Sequence, residues 1–174
     1  LQKRAVERIN LVVILCTEVP DLQTARDYGE RIHHEDSQTG NSGHFYIERN
    51  GNIQQWVPLD RVAHHVRGYN ERSIGIELDN IGRYPEWFDS GRQEMHQSYT
   101  GEQLDSLCRL LQQLQEQLPG LTRISAHEVL DTAQVPATDN PALRVYRKRD
   151  PGPLFPWPRL MQTVRLKFYD PRKR

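Results

Sequence analysis

The most continuous apolar run in the chain is Leu11-Val12-Val13-Ile14-Leu15-Cys16. It is rich in β-branched residues, too short for a helix, and ends before the turn signal Val19-Pro20-Asp21, which predicts a central strand covered on both faces. Behind Asp21, a residue type suited to capping a first turn, Leu22, Ala25, Tyr28 and Ile32 recur at helical spacing. Residues 37–43 form a polar loop. Two strand-like runs, 44–49 and 53–57, flank Asn50-Gly51-Asn52, and Asn-Gly in that setting is the strongest short-range hairpin signal. Ser73-Ile74-Gly75-Ile76-Glu77-Leu78 is a further short strand, in which Gly75 marks a bulge or a close approach by another group. Residues 80–99, rich in Gly, Pro, Trp and charge, predict a long surface loop. Thr100 then opens the clearest helix, with Leu104, Leu107, Cys108, Leu111, Leu114 and Leu118 on one stripe. Thr100 with Gln103 fits a capping box, and Pro119-Gly120 ends the helix. Residues 121–126 predict a last strand that ends at His127. Residues 128–147 are polar and irregular, Asp150-Pro151-Gly152-Pro153 is a rigid turn, and a terminal helix forms around Leu160, Met161 and Val164.

These elements predict an α/β fold: a single domain over residues 1–174, with a central mixed β-sheet flanked by helices and a groove at one sheet end. The length of 174 residues is enough to bury a sizeable core, and 36% hydrophobic with 26% charged residues is the make-up of a globular chain. Lys and Arg number 23 against 23 Asp and Glu, a balance that argues against a nucleic-acid partner held through its phosphates. No apolar run approaches the roughly 20 residues needed to span a bilayer, so no membrane partner is expected either. A monomer is expected. Cys16 and Cys108 each sit in an apolar stretch, which points to buried thiols rather than a disulfide framework. Only four basic residues are lysines, and Lys148 is the sole lysine between positions 4 and 166.

A strand ending at His127, followed by a loop to Lys148-Arg149-Asp150, places a His and an Asp on neighbouring loops at one sheet end. Both residue types are good zinc ligands. Glu77 lies between Ile76 and Leu78, so it faces the other way, either into solvent or into a site where it can serve as a base. His127 by itself also reads as a hydrogen-bonded structural histidine. Lys148 and Asp150, two apart, project to the same side of an extended backbone.

His65-Val66-Arg67-Gly68-Tyr69-Asn70 with Ser73–Leu78 resembles the zinc-dependent N-acetylmuramoyl-L-alanine amidases, to which phage amidase lysozymes belong and peptidoglycan recognition proteins are related. Gly43-His44-Phe45-Tyr46-Ile47 with Arg49-Asn50-Gly51 resembles the same family's second strand and hairpin. Lys148–Pro153 with Phe155 and Trp157 is similar to the C-terminal signature of its bacterial branch that cleaves anhydro-muropeptides. The resemblance runs over residues 10–160. It implies hydrolysis of the amide between N-acetylmuramic acid and L-alanine by a zinc-activated water. His127 and Asp150 match zinc ligands, Glu77 the acidic residue that assists proton transfer, and Lys148 the lysine that stabilises the oxyanion. His65, Asn70 and His44 match groove positions that contact peptidoglycan fragments. The C-terminal signature implies a cytoplasmic recycling enzyme, while the chain's start at Leu leaves a removed leader open.

One position departs from the pattern. The family's first zinc ligand is a histidine in the first strand, and here the run is Val13-Ile14-Leu15-Cys16-Thr17. Leucine has no lone pair, whereas a catalytic zinc normally has three protein ligands plus water. Cys16 points to the other face unless a bulge turns it, and His33, His34 and His44 are the other candidate replacements. The alternative function is therefore a catalytically impaired amidase fold that binds muropeptides. A third reading has the basic segment 165–174 docking on a partner, against a solvated tail.

Overall fold

The structure, a computed structural model, describes residues 1–36 and 38–173. In chain order the elements are β1 (Leu11–Cys16), α1 (Leu22–Gly29), β2 (Phe45–Ile47), β3 (Ile53–Gln55), β4 (Ser73–Leu78), α2 (Gly101–Gln117), β5 (Arg123–Ala126), α3 (His127–Leu130), β6 (Gln134–Pro136), β7 (Arg144–Tyr146), α4 (Trp157–Thr163) and β8 (Lys167–Phe168). A six-stranded mixed sheet runs β3-β2-β4-β1-β5-β8, with β6 and β7 forming a separate pair. Only β2 and β3 pair antiparallel within the large sheet, across the Asn50-Gly51 turn. β1 lies at the centre, parallel to β4 on one side and β5 on the other. All six β1 residues are buried, as its unbroken apolar run requires.

One face of the sheet is packed under α2. Val12 and Ile14 of β1, Ile74, Ile76 and Leu78 of β4, and Ile124 of β5 meet Leu104, Leu107, Leu111 and Leu114 of α2 and Leu160 of α4. Burying each such side chain contributes about 1.5–3 kcal/mol. Thr100 caps α2: its hydroxyl accepts from the Gln103 backbone N–H, while the Gln103 side chain accepts from the Thr100 N–H. The opposite face carries a much smaller apolar patch, Leu11, Val13 and Leu15 with Val66. Gly75 marks a close approach: a Cβ there would sit 2.6 Å from the ring of His65.

Three expectations change. The first helix stops at Gly29, leaving Ile32 outside it and 56% exposed. The 44–49 run shortens to a three-residue strand. Residues 128–147 contain α3 and the β6–β7 hairpin, elements too short for periodicity to reveal. Among the described residues, no helix is long and apolar enough to cross a membrane. Of the two thiols, Cys16 is buried and Cys108 only half-buried.

Candidate active site

Register builds the site before any side chain is considered. In parallel strands, residues level with one another share a face. Leu15 pairs with Glu77 on β4, and Glu77 with Tyr46 on β2. Ile14 pairs with Ala126 on β5, so the next residue, His127, leaves that strand level with Leu15. Tyr46, Glu77, Leu15 and His127 thus form one row across four strands, at the sheet's end and on the face away from α2. That row floors a cavity of about 620 Å³, lined also by His65, Asn70, Arg67, Lys148 and Asp150.

At one end of the row, His127 and Asp150 are nearly fully buried and meet directly, with Nδ1 2.9 Å from Oδ2. The other carboxylate oxygen, Asp150 Oδ1, is buried without a hydrogen-bond partner. Burial pushes the Asp150 carboxyl up, but the charge and hydrogen bond of His127 outweigh it and hold the group below its ordinary value. Glu77, by contrast, is pushed up to about 8, first by burial and then by the negative Asp150, against the pull of Lys148. Near neutral pH it therefore carries its proton. A carboxyl in that state donates as well as accepts, whereas Asp150 is acceptor-only.

His65 is held in place from three sides. Asn70 Oδ1 accepts from the His65 and Val66 backbone N–H groups, Ser73 Oγ lies 2.8 Å from the Nε2 atom, and the Ala63 carbonyl lies 3.1 Å from Nδ1. Burial, then the neighbouring His44 and His127 rings, keeps it neutral. His44 needs a correction: it is fully buried and does not line the cavity. Its Nδ1 accepts from the Gly75 N–H, and its Nε2 lies 2.8 Å from the Arg4 guanidinium and 3.1 Å from the Arg61 carbonyl. A histidine with those partners, lowered to about 4 by burial and by Arg4, is part of the sheet's interior.

Sequence reasoning missed the buried ion pair that holds the cavity's outer wall. Glu18, just past β1 and at φ +52°, takes Arg83 in a two-pronged bridge, with Nε–Oε1 at 2.8 Å and the second pair at 2.9 Å. Arg83 also donates to the Tyr146 and Arg147 carbonyls. The signal lay in the 80–99 loop, but nothing in its spacing pointed back to residue 18. Arg67 and Arg147 likewise line the cavity, and Arg147 is bonded to Asp131.

The residues present do not fit a three-ligand zinc site. His127 and Asp150 supply two donors, with a lone pair to spare on Asp150, but Leu15 fills the middle of the row with methyl groups. β1 pairs regularly with β4 over all six residues, so no bulge turns Cys16 toward the cavity floor. His34 stacks on His64 at 4.2 Å and meets Asn41 at 2.9 Å. Among the described residues, no group of three or more His, Cys, Asp or Glu could hold a metal ion.

The sequence pattern of the N-acetylmuramoyl-L-alanine amidases matches residues 5–153. A curated relative, the 1,6-anhydro-N-acetylmuramyl-L-alanine amidase AmpD of Salmonella typhimurium, is 32% identical over 133 residues, 72% of this chain and 58% of the relative. The chain thus spans rather more than half the length of such relatives. Among solved structures, a complex of the amidase AmiD from E. coli with anhydro-N-acetylmuramic acid-L-Ala-D-gamma-Glu-L-Lys superposes with a TM-score of 0.68 at 23% identity, over 95% of this chain and 61% of that one. Peptidoglycan recognition protein-LE in complex with tracheal cytotoxin gives 0.63 at 18% identity, over 100% and 88%. At those identities the structures share a fold, a mixed sheet flanked by helices, and the sequence match carries the kinship: this chain belongs to the N-acetylmuramoyl-L-alanine amidase family.

Proposed function

We propose that the chain holds muropeptides in the cavity at the end of β1, β4 and β5, and that it cleaves the N-acetylmuramoyl–L-alanine amide weakly. The observation that carries this reading is Leu15, level with Glu77 and beside His127, where the row needs a metal donor. Support for the ligand comes from the family match and from the muropeptide named in the AmiD complex. Within the cavity, Lys148 offers a compact cation toward an oxyanion, and protonated Glu77 offers a hydrogen-bond donor to a carbonyl or leaving group. Asn70 and His65 fix the shape of the wall against which the ligand lies. Zinc, on this reading, is bound sub-stoichiometrically, because losing one of three donors weakens affinity by orders of magnitude.

A second reading, a competent amidase, draws on the convergence of Glu77, Lys148, His127 and Asp150 on one cavity. Elemental analysis beside a muropeptide cleavage assay separates the two. The expected result is little zinc and little cleavage in the protein as it stands, with muropeptide binding retained. Leu15→His is expected to raise zinc toward one per chain and to bring cleavage with it. Full zinc and brisk turnover with Leu15 in place would overturn the weak-cleavage reading. Absence of muropeptide binding would overturn both.

A further inference from the structure

The loop over residues 59–73 carries one wall of the cavity, to which His64, His65, Val66, Arg67, Gly68 and Asn70 contribute. Both ends of that loop are fastened by one residue that does not itself line the cavity, Arg4. At the incoming end, the Arg4 backbone N–H donates to the Asp60 carbonyl at 2.9 Å, and Nε donates to the Leu59 carbonyl at 2.8 Å. The pairing continues on either side, where Lys3 bridges Arg61 and the Val62 N–H donates to the Gln2 carbonyl at 2.8 Å. At the outgoing end, Nη1 donates to the carbonyls of Asn70 at 2.9 Å and Ser73 at 2.7 Å, and to Glu71 at 3.4 Å. The remaining nitrogen, Nη2, lies 2.8 Å from His44 Nε2. A planar fork of five N–H donors can gather carbonyls that lie in different directions, whereas an ammonium donates from a single atom.

Arg4 is only 8% exposed. Burial lowers it to about 10 against the pull of the Asp60 charge, so it stays a cation at neutral pH. Among the described residues its hydrogen bonds run to carbonyls and to His44, not to a carboxylate. A buried cation without a paired anion is costly, and an apolar side chain of similar volume would fill the space more cheaply. What the fork supplies and a hydrocarbon cannot is a fixed distance between the two ends of the loop. That distance governs the wall. Asn70, held by Arg4 through its carbonyl, uses its side chain to accept from the His65 and Val66 N–H groups. Ser73, held in the same way, presents its hydroxyl to the His65 ring. Arg4 thus reaches the cavity surface from behind, through two residues.

We infer that Arg4 is a positioning residue for the ligand wall: by clamping both ends of the 59–73 loop, it holds His65 and Asn70 in the arrangement that accepts a muropeptide. This deepens the muropeptide reading above and rests on it.

The test compares the protein with Arg4→Met, Arg4→Lys and, as a control for lost stability alone, Leu111→Ala. The probe is N-acetylmuramoyl-L-alanyl-D-isoglutamine, titrated by calorimetry at a temperature where unfolding curves show the variants folded. Arg4→Met is expected to bind about tenfold more weakly and Arg4→Lys about threefold more weakly, while Leu111→Ala stays within about twofold. In ¹H–¹⁵N spectra, the His65 and Val66 amide signals are expected to move in both Arg4 variants and to stay in place in Leu111→Ala. Unchanged affinity in Arg4→Met, unmoved amide signals, or an equal loss of affinity in Leu111→Ala would overturn the clamp. If Arg4→Met does not fold, Arg4→Lys decides on the same readings. If neither folds, Arg4 serves stability alone and the inference falls. If the unaltered protein does not bind the muropeptide, the functional reading fails and the amide signals alone decide: moved signals support the clamp, unmoved ones overturn it.

Discussion

The two faces of the central sheet share the same strands and are built to opposite specifications. Under α2 the strands contribute Ile14, Ile76, Leu78 and Ile124 to a continuous apolar cluster that takes in α2 and α4. On the other face the same strands contribute Glu77 and, at the end of β5, His127, with Leu15 between them and only a small patch of apolar neighbours. Alternation along a strand makes this possible, because successive residues serve different faces. One face supplies the stability that lets the other bury ionisable groups. Leu15 belongs chemically to the first face and positionally to the second.

The sharpest test of that division is a pair of truncations. Leu111→Ala, in the covered face, is expected to cost about 2–5 kcal/mol in urea unfolding. Leu15→Ala is expected to cost clearly less, since the space it leaves opens onto a cavity that water enters. Equal costs would break the comparison.

Acid should find the next weakness. His44 titrates at about 4 in the folded chain, against about 6.5 when unfolded. Its contribution is therefore full above pH 6.5 and is lost as pH falls toward 4, by an amount on the order of 3 kcal/mol. Unfolding curves of the protein and of His44→Gln between pH 7 and 4 measure it by difference, since His65 shifts in the same direction and Glu77 in the opposite one. Identical pH slopes would place His44 in contact with water.

Glu77 has the opposite sign. Its folded value of about 8 lies above that of an unfolded glutamate, so it costs stability progressively as pH rises from about 4.5 to 8. Glu77→Gln is expected to stabilise the protein by about 1–2 kcal/mol at pH 8, more than at pH 5, because the cavity admits some water to the carboxyl. A gain independent of pH would show that Glu77 is already ionised. The smallest effect belongs to the helix that covers the sheet: Thr100→Ala removes the cap of α2 and is expected to cost about 1 kcal/mol, read as a drop in Tm.

What the sequence disclosed divides along the same line. β1 and β4 were legible as short, nearly continuous buried runs and α2 as an apolar stripe at helical spacing, and the Thr100–Gln103 capping box sat at the predicted place. Alternation gave Glu77 the face opposite Ile76 and Leu78 and left open whether that face met solvent or a site. Local pattern could not disclose contacts made across long separations. His44 read as a groove residue until Arg4, forty positions earlier in the chain, was found against its ring. Glu18 and Arg83 are 65 apart, and a lone acid after a strand resembles any solvated residue. The strand ending at His127 put it and Asp150 on neighbouring loops, but their roles came from the family resemblance, since the two lie 23 positions apart.

The Glu18–Arg83 bridge also bears on how a ligand gets in. One guanidinium ties the end of β1, the long loop and the carbonyls of Tyr146 and Arg147 into a single wall. Separating that wall means breaking a buried ion pair, at about 3–5 kcal/mol. One side of the cavity mouth is therefore a fixed edge, which joins β1, the long loop and the end of β7 in one piece.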